Sequence, residues 1–331
     1  MECRALNTES TLAVSIIIPV WNTGEYLDES VQSALAELDG IHGEVIIVDD
    51  QSDDDHTLQL LECYKTSWPS VNVILNDTGI KGAGAARNCG ISQARGEWLL
   101  FLDSDDVFIE GCVAKRLAIA KAHPQLQWMS ADFYKWYPPA PLKGNGYFAD
   151  KLQSYPTISE AIETKAIILR KSPVNNLFDD YMPANTLVVM IKRDLCRSLG
   201  GFSTSLVKAE DTFLWLKLAF SKAPFAFVPY PVAKYRIRVD SLTHEDKANG
   251  IWKIALYKMF YRDPSFSAYR KRLRHKISKG YLSDSYYYRE KGRPAAVITN
   301  ALLAIYWNPA GRLAWKNVLA GFALALKLVK E

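Results

Sequence analysis

Three acids in four residues, Asp103-Ser104-Asp105-Asp106, close the apolar run Trp98-Leu-Leu-Phe-Leu102. Carboxylates packed this closely repel one another unless a cation neutralises them. Mg²⁺ or Mn²⁺ carrying a substrate diphosphate would do so. A solvated turn with a helix-capping Asp would leave the same letters. Asp49-Asp50 ends another apolar run, Glu44-Val-Ile-Ile-Val48. A carboxylate there could accept from an imide N–H, such as uracil N3–H, or from a ribose hydroxyl. Glu210-Asp211 precedes an amphipathic run where the helix dipole favours ionised acids, and an Asp so placed can act as general base.

Two basic segments could meet the phosphates. Gly82-Ala-Gly-Ala-Ala-Arg87 sits between a strand and a helix, and its small residues let backbone N–H groups approach an anion, with Lys81 adding a point charge. The same loop approximates a dinucleotide fingerprint, with Asp103 at the spacing of a ribose-binding acid. Three features oppose an NAD(P)-dependent oxidoreductase. Arg87 stands at the third glycine position, the loop follows the third strand, and Asp103 is one of three acids. Farther on, Arg236-Ile-Arg238 leads to His244. These cations could bind a diphosphate, or the imidazole could complete a metal shell, although a lone His is more often structural.

The elements that position these residues can be read from periodicity. Continuous apolar runs at 14–18, 44–48, 71–75 and 98–102 predict strands, and amphipathic spacing predicts helices at 25–38 and 83–94. A third helix, capped by Ser52 or Asp53, is expected between the second and third strands. Such alternation predicts a parallel α/β sheet covered on both faces, with ligands at the carboxyl ends of its strands. Further on, a helix is expected at 113–122, a strand at 127–136, a helix near 158–169, a strand at 186–191 and a helix at 211–220. Beyond about residue 240 the chain reads as helical, basic and aromatic.

At 331 residues the chain can bury a large core. Five scattered cysteines without a C-x-x-C pair suggest free thiols in a reducing compartment. With neither a secretory signal nor a convincing transmembrane run, the expectation is a cytoplasmic protein. Charge is divided unevenly. Residues 231–331 carry 20 Lys and Arg against 7 Asp and Glu, a net +13. Subtraction from totals of 40 and 36 leaves 20 against 29 elsewhere, a net −9. The acidic part suits metal and cofactor chemistry, and the basic tail suits an anionic surface. Trp315, Leu319, Phe322, Leu326 and Val329 share one helical face of that tail, as expected for an interfacial helix at the inner face of the cytoplasmic membrane. No stacking-platform motif supports nucleic-acid binding.

In combination these segments resemble a family 2 glycosyltransferase of the GT-A type. Pro19-Val20-Trp21-Asn22 is similar to the family's Pro-x-Tyr-Asn turn, with Trp21 in place of Tyr. Val48-Asp49-Asp50-Gln51-Ser52 resembles Val-Asp-Asp-Gly-Ser, with Gln51 in place of Gly. Gly84-Ala-Ala-Arg-Asn-Cys-Gly90 resembles the Ala-Arg-Asn-x-Gly helix start. Asp103-Ser104-Asp105 stands at the DXD position, Glu210-Asp211 at the acid pair, and Tyr235–Ser241 at the segment closing the site. The resemblance implies an α/β GT-A fold with a helical C-terminal extension. Residues 12–112 would bind the nucleotide sugar and 113–240 the acceptor, with 241–331 a basic helical region.

It also implies single-sugar, inverting transfer from a nucleotide-diphosphate sugar, UDP-linked by expectation, to a glycan or lipid-linked acceptor in surface polysaccharide synthesis. Asp211, with Glu210, would supply the base. Asp103, Asp105 and His244 would hold Mn²⁺ or Mg²⁺. Pro19, Val20, Trp21, Asn22, Asp49, Asp50, Lys81, Gly82, Arg87, Asp103, Ser104, Arg236 and Arg238 would surround the donor. A non-catalytic nucleotide-binding protein remains the other alternative.

Overall fold

The computed structural model describes residues 12–150, 168–170, 184–206, 208–238 and 250–328. It divides into two compact units, Met1–Val239 and Asp240–Glu331. In the first, β1 (Val14–Val20), α1 (Tyr26–Ala36), β2 (Gly43–Asp49), α2 (Asp55–Ser67), β3 (Val71–Leu75), α3 (Ala83–Gln93) and β4 (Trp98–Phe101) alternate as the periodicity predicts. The apolar runs of β1, β2 and β4 are buried throughout, because helices cover the sheet faces they reach. α3 can lie close to β1 because it is small-sided there. A Cβ on Gly90 would stand 2.5 Å from Ile17 Cγ2. The cap of α2 is Asp54, accepting from the Thr57 N–H, rather than Ser52 or Asp53.

The remaining elements of this unit are β5 (Val107–Phe108), α4 (Cys112–Ala122), β6 (Trp128–Trp136), β7 (Ile168–Arg170), β8 (Met190–Lys192), α5 (Arg193–Ser198), α6 (Glu210–Ser221) and β9 (Phe225–Arg236). The strands form one sheet in the order β3-β2-β1-β4-β8-β6-β9-β5, with β7 paired to β9. β1 to β4 pair in parallel, whereas β8 runs antiparallel to both β4 and β6. The sheet is therefore mixed, not wholly parallel. Both proposed halves, 12–112 and 113–240, share it.

Three other expectations are corrected. The run expected as a strand at 186–191 begins as a 3₁₀ turn, Thr186–Val188, because the Asn185 side chain accepts from the Leu187 N–H and turns the chain. Of the helix expected near 158–169, the described part is the strand β7, and the rest lies outside the described residues. β9 was not foreseen, because Pro229 and Pro231 interrupt its pattern. It accommodates them where its register with β6 shifts, Ala131 pairing with Val228 and Asp132 with Pro231.

The second unit contains α7 (Gly250–Arg262), a 3₁₀ turn (Pro264–Tyr269), α8 (Arg270–Glu290), α9 (Pro294–Trp307) and α10 (Arg312–Leu328). Among the described residues, no helix is long and apolar enough to cross a membrane.

Candidate active site

The chain reverses its direction of winding between β1 and β4: β2 and β3 follow on one side of β1, β4 on the other. A crevice opens at the carboxyl ends of strands at such a point. Register places the ends of β1, β2 and β4 side by side, with Val20 opposite Asp49 and Ile17 opposite Phe101. Pro19-Val20, Asp49-Asp50 and Asp103–Asp106 consequently emerge at one edge.

The acids differ in how fully they are already engaged. Asp50 accepts from Asn76 Nδ2 at 2.5 Å with one oxygen and from the Gly82 N–H at 2.6 Å with the other. It therefore latches the glycine loop to the sheet. Gly82 has φ +125°, a conformation that favours glycine. Asp49 accepts from the Ser52 N–H at 2.9 Å through Oδ1 only. Asn22, at φ +47°, donates to Asp53 and accepts from the Asp53 and Asp54 N–H groups, fastening the turn after β1 to that after β2. Pro19 and Val20 are buried in β1, whereas Trp21 is 57% exposed beside them and Lys81 is exposed on the loop.

Arg87 is the buried junction of the site. Its Nη2 meets Asp103 Oδ1 at 2.5 Å, its Nη1 meets Glu210 Oε1 at 3.1 Å, and its guanidinium lies 5.1 Å from the Phe202 ring centroid. Burial alone would lower its pKa, but the charges of Asp103 and Glu210 outweigh burial and raise it. The first turn of α6 is thereby tied to the acids after β4. A Cβ on Gly84 would approach Glu210 Cγ to 2.9 Å, so this contact also requires a small residue on α3. Asp211 Oδ1 accepts from the Thr212 N–H and hydroxyl, whereas Oδ2 receives only the Thr186 hydroxyl at a long 3.4 Å. Asp211 Oδ2 consequently retains accepting capacity, and Glu210 is committed to Arg87.

The loop after β4 is held from several sides. Ser104 Oγ lies 2.6 Å from Thr23 Oγ1, and Ser30 donates to the Asp103 carbonyl. Arg236 is buried, with its N–H on Asp106 Oδ1, its Nε on the Asp105 carbonyl, and Nη2 paired with Glu29. Its guanidinium also lies 4.3 Å from the Trp136 ring centroid. Arg238, more open, reaches Asp105 Oδ2 at 3.3 Å. Burial and the Asp103 charge raise the Asp105 carboxyl, against the pull of Arg238. Burial, then Asp103 and Asp105, push Asp106 well above the usual carboxylate range, and its Oδ2 has no partner. Burial also raises Glu210, with Arg87 opposing.

Would a divalent cation fit here? Asp103, Asp105, Asp106, Glu210 and Asp211 face Arg87, Arg236 and Arg238, and Arg236 is shared with Glu29. Surplus buried negative charge and the orphaned Asp106 oxygen fit an added cation. Among the described residues, no group of three His, Cys, Asp or Glu side chains could hold one alone. That suits Mg²⁺ or Mn²⁺ held by one or two carboxylates and completed by substrate phosphates. His244, the other expected ligand, lies outside the described residues.

The sequence reading missed as site residues Asn76, Thr186, Glu29 and Tyr26, whose ring centroid lies 4.6 Å from the Arg238 guanidinium. Asn76 follows β3 as the acids follow β2 and β4, and that strand-end position was its signal. Glu29 and Tyr26 lie on α1 and carry no motif of their own. The dinucleotide alternative loses its loop, since the Gly82 N–H is spent on Asp50 and Arg87 is turned inward.

Residues 15–176 match the family model described as glycosyl transferase family 2. An uncharacterized glycosyltransferase of Haemophilus influenzae is 30% identical over 219 residues, covering 66% of this chain and 65% of the relative. TarS of Staphylococcus aureus, a poly(ribitol-phosphate) β-N-acetylglucosaminyltransferase, is 39% identical over 93 residues, 28% of this chain and 16% of TarS. The crystal structure of TarS 1–349 with UDP-GlcNAc superposes with a TM-score of 0.62 at 16% identity, covering 93% of this chain and 89% of that one. The mannosyltransferase PcManGT of Pyrobaculum calidifontis, solved with GDP-Man and Mn²⁺, gives a TM-score of 0.54 at 19% identity over 96% of this chain and 81% of that one. The matched segments thus span less than two thirds of the first relative and a small part of TarS. The mixed sheet with its strand-end crevice is a GT-A fold, and residues 15–176 of the chain carry the match to glycosyl transferase family 2.

Proposed function

We propose that this chain transfers one sugar, with inversion, from a UDP-sugar to a hydroxyl of a glycan or lipid-linked acceptor, in the building of a surface polysaccharide. The observation that carries the reading is the Arg87 junction. It brings Glu210, and with it Asp211 at the start of α6, to the acids after β4. A base for the acceptor thus stands beside a place for the donor's diphosphate. Binding of UDP-GlcNAc by TarS and of GDP-Man with Mn²⁺ by PcManGT supports the donor class.

In this mechanism Asp49 accepts the base's imide N–H, and Trp21 offers an exposed ring to its face. Lys81 and Arg238 meet the phosphates. Asp103 and Asp105 would be the protein ligands of Mn²⁺ or Mg²⁺. Bound there, the cation would neutralise charge on the departing diphosphate. Asp211 Oδ2 takes the proton of the acceptor hydroxyl as that oxygen attacks the anomeric carbon. Arg87 and Arg236 hold the acids in position, and Asp50 holds the glycine loop.

Incubation with UDP-, GDP- and dTDP-sugars, with and without Mn²⁺, identifies the donor, and NMR of the product's anomeric coupling reads inversion. Asp211→Asn should lose at least about 10²-fold in transfer while retaining UDP binding, as removal of a general base does. Asp105→Ala should lose transfer and Mn²⁺-dependent binding together. Full turnover by Asp211→Asn, or a product of retained configuration, would overturn the reading.

A further inference from the structure

One end of the second unit combines exposed apolar groups with concentrated positive charge. There α8 begins, α7 ends, and α9 turns into α10. Arg274 donates to the carbonyls of Tyr306 and Trp307, and Asn308 Nδ2 lies 3.4 Å from His275 Nδ1. The Tyr261 and Trp307 rings meet edge to face at 5.0 Å, with Arg270 5.8 Å from the Tyr261 centroid. Trp315 Nε1 donates to the Pro309 carbonyl. These contacts make residues from all four helices one surface.

Charge on it is almost entirely of one sign. Residues 258–275 and 302–316 include eight Lys and Arg (Lys258, Arg262, Arg270, Lys271, Arg272, Arg274, Arg312 and Lys316) against Asp263 alone. Arg270, Lys271, Arg272, Arg312 and Lys316 are exposed. Large apolar side chains are exposed with them, Tyr306 at 69% and Trp315 at 53%; from there α10 leads toward the far end of α8, where Asn317 donates to the Ser285 hydroxyl. Along α10, Trp315, Leu319, Phe322 and Leu326 form one stripe at helical spacing, while Ala314, Asn317, Val318 and Gly321 face inward.

We propose that this end of the unit docks on an anionic lipid surface. Tyr306 and Trp315 would enter the boundary between headgroups and acyl chains, with Leu319 and Phe322 of the α10 stripe lying along the surface beyond them, and the exposed Arg and Lys would meet headgroup phosphates. Trp315 suits that position, because its indole N–H is already bonded within the protein and its ring can leave water without losing a partner. A second copy of this chain is disfavoured, since a two-fold contact would bring like charge against like. An aliphatic stripe of Leu319 and Leu326 gives nucleic acid nothing to stack on. The inference goes beyond the transfer chemistry and does not depend on it.

The test is co-sedimentation of the full chain with vesicles of phosphatidylglycerol and phosphatidylcholine, against phosphatidylcholine alone, with tryptophan fluorescence recorded. Binding should be at least tenfold tighter to the anionic vesicles, weaken as salt is raised, and shift the emission to the blue. Each neutralised Arg or Lys should cost roughly fivefold in partitioning, so Arg270→Ser/Lys271→Ser/Arg272→Ser should bind on the order of a hundredfold more weakly. Leu319→Ser/Phe322→Ser changes exposed positions only and should weaken binding with helicity unchanged, which separates docking from misfolding. Equal sedimentation with both vesicle types overturns the proposal. So does a concentration-dependent dimer that Leu319→Ser/Phe322→Ser dissolves, or tighter binding to RNA than to vesicles. Donor hydrolysis, measured on the same variants, should be unchanged, so failure of docking and failure of the transferase reading are read separately.

Discussion

Replacing Arg87 by Met tests whether the junction between the two acid sites is as important as its geometry implies. The guanidinium side chain is 5% exposed and pairs with Glu210, 19% exposed, and Asp103, 33% exposed. Removing one partner of a buried ion pair costs about 3–5 kcal/mol, because the remaining charge is left without compensation. Water reaches a third of Asp103 and screens its share, so a loss near about 3 kcal/mol at pH 8 is expected. The deficit should shrink on acidification. Burial already raises the Glu210 pKa, and Arg87 is what opposes that rise. Without Arg87 the folded pKa climbs further. A carboxyl raised in the folded state contributes stability below its unfolded pKa and loses that contribution as pH rises through the folded pKa. Urea unfolding from pH 8 to pH 5, in buffer free of divalent ions, measures both effects. In a cycle with Glu210→Gln, the coupling should be at least about 1 kcal/mol. A cost below about 1 kcal/mol at pH 8, or additivity in the cycle, would refute the reasoning.

Two further substitutions probe neighbouring contacts. Asp106 is buried, raised well above the usual carboxylate range, and has one oxygen without a partner. Asp106→Asn keeps an acceptor for the Arg236 N–H and removes the charge, so without divalent ions it should melt about 2–4 °C above wild type at pH 8, the equivalent of about 1 kcal/mol. By the same sign rule the gap should close toward pH 5, and a melting temperature lowered equally at every pH would contradict this. Gly84→Ala would place a Cβ 2.9 Å from Glu210 Cγ and 3.1 Å from the Ser203 carbonyl oxygen. Steady-state assays should find kcat reduced with the circular dichroism spectrum unchanged, and wild-type kcat would show that the first turn of α6 need not be held there.

Much of the frame was legible because each of β1 to β4 is a mostly apolar run ended by Pro or a polar residue. The topology then forces those ends to one edge. β9 was not legible, because Pro229 and Pro231 argue against a strand unless a register shift is known. Nor can an apolar run such as 186–191 disclose that Asn185 will turn its first half into a 3₁₀ helix. Residue types marked the candidates, but they could not divide them into ligands and supports. Asp50, Arg87 and Arg236 have the chemistry of donor-binding groups, and the fold uses their polar atoms on Gly82, on Glu210 and on Glu29. Which carboxylate oxygens remain available depends on contacts made by residues far away in sequence. Asp211 and Thr186 illustrate this.

Calorimetric titration of UDP into the protein, with and without Mn²⁺ and then into Asp105→Ala, tests the central claim most directly. Tighter binding by at least about tenfold with the metal, a gain of about 1.4 kcal/mol, and disappearance of that gain in the variant are predicted. Equal affinity in all cases would mean that the acids after β4 do not hold a cation for the diphosphate.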